Sequence, residues 1–247
     1  MKHPSLKSII LGLRNRPLNA VITKLPLGAM VVDVGCTGFD LVERAVWLNR
    51  SDLIHSGVDY MPLEVPEGFK FVRADLELEP IPFENDSFDL VVASHIIEHL
   101  GNPSDFAAEL VRITKPGGLI YLEAPSERSL WLPGMPFEHD KFCSLSFYDD
   151  PTHQQRPWSP QAFHRLFRYL HCQPAKSGYH YSLRVRCFFP FLLAGALLMR
   201  SARLLEFCVW RGIGWASYAI VRKPLDLHGA PKFHYYYHNQ KNKKGFS

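Results

Sequence analysis

Short apolar runs alternate along this chain with segments in which apolar residues recur at a helical period. A short apolar run bounded by turn residues predicts a buried strand, and the helical period predicts an amphipathic helix. This alternation is typical of an α/β fold, in which a parallel sheet carries helices on both faces. The predicted strands cover 31–34, 54–58, 69–73, 88–93, 119–123, 179–185 and 215–221, and the predicted helices cover 5–14, 39–50, 104–114 and 161–170.

A tight corner follows the first predicted strand. The strand runs into Val32-Asp-Val-Gly-Cys-Thr-Gly38, and a helical pattern begins at once. Glycines at such a corner let main-chain N–H groups and the start of a helix approach a ligand closely. The second strand leads into Asp59, and a carboxylate there is placed to accept both hydroxyls of a ribose. The pair predicts a nucleoside-cofactor site, although either feature alone also fits a packing corner or a turn.

Five segments between about 28 and 125 resemble, in order, the motifs of class I S-adenosylmethionine-dependent methyltransferases. The resemblance is to the small-molecule branch, of the kind found in methyltransferase domain family 11. The segments are VDVGCTG (32–38), GVD (57–59), RADL (73–76), SFDLVVASHIIEHL (87–100) and ELVRITKPGGLIY (109–121). The resemblance implies a Rossmann-like sheet of seven strands, mostly parallel, with helices on both faces and the last strand antiparallel.

The same resemblance predicts how the chain is divided. A helical lead is expected at 1–27, and the methyltransferase domain is expected at 28–223. A hydrophobic helical insertion at about 187–211 would interrupt that domain. The remaining segment, 224–247, is basic and polar, so we expect it to be disordered.

The resemblance implies S-adenosylmethionine as the cofactor and assigns roles along the strand ends. Asp59 would hold the ribose, Asp75 the adenine, and Asp33 either the glycine turn or the amino group of the methionine part. The positions assigned to the cofactor are Asp33, Gly35, Gly38, Asp59, Asp75, Leu76 and Ser94. The family usually carries G-x-G-x-G in its first motif, whereas this loop is one residue shorter and lacks the middle glycine.

Methyl transfer requires that donor and nucleophile be held in line, and it needs a base only if the nucleophile is a hydroxyl or a carbon acid. Each histidine near the motifs fits that role, and each also fits a structural or surface hydrogen bond. The base candidates are His95, His99, His139 and His153. Pro151 and Pro157 stiffen the loop of His153, which gives this residue the most favourable context.

The loop at 149–159 bears on the methyl acceptor. It resembles a feature of relatives that methylate sugars or glycolipid-like acceptors. The resemblance therefore implies a small-molecule, sugar or lipid-linked glycan acceptor.

Three other interpretations fit parts of the sequence. The segment 95–99 matches H-x-x-E-H, an inverted zinc-protease pattern, but a zinc enzyme needs a third ligand and an open position. We therefore expect no metal site. An NAD(P)-dependent reductase would carry G-x-G-x-x-G at the first turn, which this chain lacks. The alternative function is a catalytically degenerate methyltransferase fold acting as a binding or scaffold protein, and the shortened glycine loop is its support.

Composition places the chain among ordinary globular proteins. Its 247 residues are 47% hydrophobic, which suits one α/β domain with embellishments. Its five cysteines form no C-x-x-C pair, which predicts reduced thiols and a cytoplasmic location. The early apolar run at 9–11 is too short for the core of a signal peptide.

The net charge of +4 conceals a strong asymmetry. Residues 33–183 carry 22 acidic against 12 basic side chains, a net charge of −10. Residues 1–32 carry five basic and no acidic side chains, and residues 184–223 carry seven basic and one acidic. Because the centre is acidic, we expect no nucleic-acid partner.

The segment 187–199 contains 13 residues without a charge, fewer than the roughly 20 needed to span a bilayer. It fits a core helix or a hydrophobic cover over the active site. It also fits a segment that lies in a membrane interface, because arginines flank it on both sides. The second interpretation predicts peripheral contact with an anionic membrane.

Overall fold

The computed structural model describes residues 16–65, 68–137, 143–229 and 231, and their strands form one seven-stranded sheet. The strands are β1 (Met30–Val34), β2 (Ile54–Asp59), β3 (Lys70–Arg73), β4 (Phe88–Ser94), β5 (Thr114–Pro125), β6 (Gln173–Tyr179) and β7 (Ala216–Arg222). The helices are α1 (Arg16–Ile22), α2 (Asp40–Trp47), α3 (Pro103–Ile113), α4 (Pro160–Tyr169), α5 (Leu183–Leu198) and α6 (Ala202–Val209).

The strand order is β3-β2-β1-β4-β5-β7-β6. Strands β1 to β5 pair in parallel, whereas β7 runs antiparallel to both β5 and β6. This confirms the predicted Rossmann-like α/β sheet with an antiparallel last strand. The order reverses between β1 and β4, and ligands of open α/β sheets bind at the carboxyl ends of the strands beside such a reversal.

Alternate residues of the central strands face two separate apolar layers. Val32 and Val34 pack in a cluster with side chains of α3 and α4, whereas Val31 packs in a second cluster with side chains of α1 and α2. All three valines are fully buried. The helices therefore cover both faces of the sheet, because each central strand presents apolar side chains to both sides.

The sixth strand is not where the sequence pattern predicted it. The prediction of 179–185 is wrong, since β6 covers Gln173–Tyr179 and α5 begins at Leu183. The sheet edge explains the error, because β6 pairs only with β7 and its residues are at most half-buried. An edge strand of this kind lacks the apolar run that marked the central strands. The hydroxyl of Ser182 accepts a hydrogen bond from the Val185 N–H and so caps the helix start.

The hydrophobic insertion consists of α5, α6 and a π-helical turn at Trp210–Gly214. The insertion therefore begins a few residues before the predicted range and ends a few residues after it. Among the described residues, no helix has the length and apolar character that crossing a membrane requires. The predicted helix at 5–14 lies outside the described residues, as does most of the tail at 224–247.

Candidate functional site

A cavity of about 410 Å³ opens over the carboxyl ends of β1, β4 and β5. Its floor includes Asp33 from β1, Ser94 from β4 and Glu123 from β5. Helix α1 and the start of α2 form one wall, and the π-helical turn that follows α6 forms another. The cavity therefore lies at the reversal of strand order, where the fold leads us to expect a ligand.

The shortened glycine loop folds tightly against β2. The backbone N–H groups of Gly35 and Cys36 both donate to the Val58 carbonyl oxygen, at 2.8 and 3.2 Å respectively. Gly35 has a φ of 82°, and a Cβ there would lie 2.7 Å from Cδ1 of Ile96, so this position requires glycine. Gly38 differs, since a Cβ there would meet no atom within 4 Å. Because Gly38 also lines the cavity, the loop leaves open the space that a ligand would fill.

Phe39 follows directly after Gly38, the last glycine of the shortened loop. Its ring packs edge-on against Phe69, with the ring centroids 5.3 Å apart. This contact ties the end of the loop to the segment just before β3. Thr37 is exposed and lines the cavity instead.

Asp33 lies on the cavity floor in an acidic surrounding. Burial and the charge of Asp40 raise the pKa of its carboxyl to about 7, with a further contribution from Asp59, and Arg44 opposes the shift only in part. A cationic ligand beside this carboxyl would lower its pKa, because a positive charge nearby favours the ionised form. Asp33 is therefore a candidate partner for an ammonium or sulfonium group.

The other predicted cofactor positions follow the strand ends away from the cavity. Asp59 is buried at the end of β2, and its Oδ1 accepts the Met61 N–H at 2.8 Å. Asp75 is exposed beyond β3, and its Oδ1 accepts the Glu77 N–H at 3.0 Å. Leu76 is half-buried against the main core. Of the predicted set, Asp33, Gly35, Gly38 and Ser94 line the cavity, whereas Asp59, Asp75 and Leu76 do not.

A network of ionisable side chains covers the opposite side of the floor. The Tyr121 hydroxyl donates to Glu123 Oε2 at 2.6 Å, and His180 Nε2 lies 3.2 Å from the same oxygen. His95 Nε2 lies 3.4 Å from Glu123 Oε1. Although burial alone favours the neutral acid, His180 and His95 hold the pKa of Glu123 well below its ordinary value. Glu123 is therefore a buried carboxylate anion.

His95, predicted as a base candidate, is held as a cation by two carboxylates. Burial alone lowers its pKa, but hydrogen bonds and charge from Glu123 and Glu98 raise the pKa of His95 to about 10. An imidazole that keeps its proton at neutral pH donates hydrogen bonds and cannot accept a proton. Its backbone is left-handed, with a φ of 56°, which turns the chain sharply at the end of β4.

Several residues of this network escaped the sequence prediction. Tyr121 and Glu123 lie on one face of β5, where a glutamate within an apolar strand was the available sign of a polar contact. His180, Trp210 and Trp215 come from segments far from β5 in the sequence. The rings of Trp210 and Trp215 stack with their centroids 4.0 Å apart. No motif marks these three residues, and only the fold brings His180 and Trp210 to the cavity.

The remaining base candidates, His99 and His153, lie together beside Glu98. One potential ligand atom from each of these three residues lies within 4.8 Å of the other two. Their ring centroids are 4.9 Å apart, and neither histidine lines the cavity. His153 comes from a loop 54 positions after His99, and His95 of the H-x-x-E-H pattern is not part of this cluster of described residues. His139 lies outside the described residues.

Comparison with known proteins identifies the domain. Residues 24–122 match the methyltransferase domain family. An uncharacterized methyltransferase of Mycobacterium leprae (strain Br4923) is 31% identical over 116 residues, which are 43% of this chain and 39% of that protein. A ubiquinone biosynthesis O-methyltransferase of Dechloromonas aromatica (strain RCB) is 31% identical over 113 residues, which are 38% of this chain and 44% of that protein. The chain thus spans less than half the length of these curated relatives.

The solved structures agree on the fold. A SAM-dependent methyltransferase from Archaeoglobus fulgidus superimposes with a TM-score of 0.56 at 17% identity, covering 87% of this chain and 94% of that chain. Together with the strand order and the glycine turn, these similarities show that residues 24–122 are a methyltransferase domain with the fold of the S-adenosylmethionine-dependent methyltransferases.

Proposed function

We propose that this protein transfers a methyl group from S-adenosylmethionine to a small-molecule, sugar or lipid-linked acceptor. The observation that carries the proposal is the cavity, which lies between the glycine loop on one side and a polar network on the other. When bound, S-adenosylmethionine supplies a methyl group already activated on a sulfonium. The protein then has to bind, orient and exclude water rather than activate the donor.

The residues present fit that cofactor. Gly38 leaves open space over the loop, and the acidic surrounding of Asp33 favours a cationic ligand. Asp33 would meet the amino group of the methionine part, Asp59 the ribose and Asp75 the adenine. Gly35 would shape the turn, Leu76 would lie under the adenine, and Ser94 would face the methyl group.

A hydroxyl acceptor also has to lose a proton. His99 lies on the 3₁₀ turn just after β4, and His153 lies beside it with the ring centroids 4.9 Å apart. These two imidazoles are therefore the groups that we expect to take part in removing that proton. His95 is a less suitable candidate, because two carboxylates hold it as a cation.

Labelling with S-adenosylmethionine that carries a trideuterated methyl group tests the proposed transfer. Purified protein would be incubated with the aqueous and the lipid-soluble fractions of a cell extract, and the products would be analysed by mass spectrometry. We expect one class of acceptor to gain the labelled methyl group. Protein that binds the cofactor in a calorimetric titration but labels nothing would instead support the binding or scaffold alternative.

The exposed surface of α5 supports a lipid-linked acceptor. Phe191 is 77% exposed and Leu198 is 86% exposed, although both are large and apolar. Arg184, Arg200 and Arg203 are exposed around them, which suits an anionic lipid surface. The π-helical turn that follows α6 lines the cavity, so the insertion connects this apolar surface with the proposed site. We therefore propose that α5 rests on an anionic membrane.

Sedimentation with lipid vesicles tests that contact. We expect binding to anionic vesicles that salt weakens, and little binding to neutral ones. Phe191→Ser should reduce binding, whereas Leu78→Ser, which changes an equally exposed side chain outside α5, should not. Equal binding by the two variants, or none in any condition, would rule out the membrane contact.

A further inference from the structure

Glu98, His99 and His153 meet outside the cofactor cavity, where the proposed methyl transfer assigns no ligand. Glu98 and His99 lie on the 3₁₀ turn Ile97–His99 after β4, and His153 lies on the loop after the 3₁₀ turn Phe147–Asp149. The fold brings the two turns together, and one ligand atom from each residue lies within 4.8 Å of the others. Two imidazoles and a carboxylate at this spacing match the ligand set of a transition-metal ion.

The hydrogen bonds of the two histidines leave the same ring nitrogen free. His153 Nδ1 lies 2.8 Å from the Phe147 carbonyl oxygen, which can only accept, so Nδ1 carries the hydrogen. The Thr152 hydroxyl donates to Asp150 at 2.6 Å, so its oxygen accepts from His99 Nδ1 at 3.0 Å. Both rings, when neutral, therefore hold their lone pair on Nε2. Histidines that bind metals are fixed in this way, by a hydrogen bond from the other nitrogen.

Glu98 supplies an independent sign of a missing partner. The residue is 1% exposed, and its Oε2 is buried without a hydrogen-bond partner among the described residues. Its other oxygen, Oε1, lies 3.4 Å from His95 Nδ1. A buried carboxylate oxygen without a partner is costly, and buried charges are normally paired or coordinate metals.

We propose that Glu98, His99 and His153 bind a divalent transition-metal ion. Asp150 Oδ2 lies 3.7 Å from His153 Nε2 and adds negative charge beside the three ligands. The mixed nitrogen and oxygen set suits Zn²⁺ or Mn²⁺, whereas Mg²⁺ and Ca²⁺ prefer oxygen alone. The ring of His153 stacks on Phe147 with centroids 4.2 Å apart, which holds this ligand in place.

The position of the ion suggests its use. Through Glu98 the site contacts His95, which lines the cofactor cavity. An ion with three protein ligands keeps a position open for an oxygen of the acceptor, and a bound hydroxyl loses its proton more easily. In this arrangement His99 and His153 act as ligands rather than as bases. This use rests on the proposed methyl transfer, whereas binding of the ion does not.

Calorimetric titration of the chelator-treated full chain with Zn²⁺, without cofactor, tests the site. We expect one ion per chain at this site. His99→Ala and His153→Ala should each weaken binding by more than about 100-fold, since even loss of a ligand's hydrogen-bond partner weakens it by about 10- to 100-fold. The matched control is His164→Ala, a histidine of α4 outside the cluster, which should bind as the unaltered chain does. Unaltered Zn²⁺ binding in the two ligand variants would overturn the proposal.

A milder variant guards against misfolding. Thr152→Val keeps the size of the side chain and removes the hydroxyl that holds His99, so binding should weaken by about 10- to 100-fold. Co²⁺ provides a spectroscopic check, because coordination by two imidazoles gives visible absorption bands that Thr152→Val should shift or weaken. Absence of such bands in the unaltered chain would also overturn the proposal. Zn²⁺ binding without labelled product would retain the metal site and remove the proposed transfer. Labelled product that resists chelation and does not need His153 would retain the transfer and remove the proposed use of the ion.

Discussion

The two sides of the cavity, one at the end of β1 and the other at the ends of β4 and β5, are built in different ways. On the β1 side, the glycine loop is one unbroken stretch of chain, and its shape follows from backbone geometry at Gly35 and Gly38. On the β4 side, the polar groups come from the end of β4, from β5, from the loop around His153 and from His180. The first side presents main-chain groups and open space, whereas the second presents ionisable side chains. A glycine loop can therefore be recognised from a local motif, whereas the polar groups proposed to face the acceptor are brought together by the fold.

The largest effect is expected for loss of His153, which should change turnover on the β4 side without changing cofactor binding on the β1 side. His153→Ala should lower turnover of the labelled acceptor by about 10²- to 10⁴-fold, the usual loss when a group that assists proton removal is deleted. Cofactor affinity should stay unchanged, because His153 does not line the cavity. Steady-state kinetics and calorimetry measure the two quantities, with His164→Ala as the control. Near-full turnover in His153→Ala would show that the β4 side does not serve the chemistry.

Variants of Asp59 test the proposed ribose contact on the cofactor side of the site. Asp59→Ala should weaken cofactor binding by about 2–4 kcal/mol, the contribution of paired hydrogen bonds to a charged group. Asp59→Asn is the matched variant, because an amide oxygen can still accept the Met61 N–H that Asp59 binds at 2.8 Å. Weak binding in both variants would assign the loss to the carboxylate rather than to the turn. Unchanged affinity in Asp59→Ala would rule out the ribose assignment.

Gly38 tests whether open space above the loop is needed. Gly38→Leu should fold normally, since a Cβ there meets no atom within 4 Å, but the added side chain would enter the cavity. A steric conflict of about 1–3 kcal/mol would weaken cofactor binding by roughly 5- to 150-fold. Gly195→Leu adds the same group at another open position, in α5, and should bind normally. Tight binding by Gly38→Leu would place the cofactor elsewhere.

The smallest effect concerns pH. Since the pKa of Asp33 is raised to about 7, its ionised fraction increases about tenfold between pH 6 and pH 8. Affinity for the cationic cofactor should rise by about that factor, and Asp33→Asn should abolish the rise. Calorimetric titration across this range measures it, and a flat profile in the unaltered chain would contradict the assignment.

The same carboxyl gives a matching change in stability. The pKa of Asp33 lies above its ordinary value of 3.8, so folding favours the protonated form. Its contribution to the free energy of unfolding is fully present below about pH 4 and is lost as pH rises towards 7. Asp33→Asn should therefore stabilise the ligand-free protein at pH 8 more than at pH 4. Denaturant unfolding at the two pH values measures the difference.

Sequence patterns determined the central sheet and the glycine turn. Strands β1, β2, β4 and β7 lie within about two residues of their predicted ranges, because a buried strand requires an apolar run whatever surrounds it. The turn at Gly35 was also predicted from the sequence, because glycines directly after an apolar run indicate a tight turn between a strand and a helix. The family was predicted from these local features, and the match of residues 24–122 to the methyltransferase domain family confirms it.

Only the tertiary structure decided how α5 is exposed and which polar side chains meet. The uncharged apolar segment 187–199 has the same sequence pattern whether it is buried or exposed, and the exposure of Phe191 depends on what packs against it. His95 and His99 stand in one short pattern, yet His95 turns to Glu123 while His99 meets His153. Which contacts these histidines make depends on segments far away in the chain, and no local spacing encodes that distance. The backbone of the site could therefore be predicted from the sequence, whereas the protonation state of His95 and the meeting of Glu98 with two histidines could not.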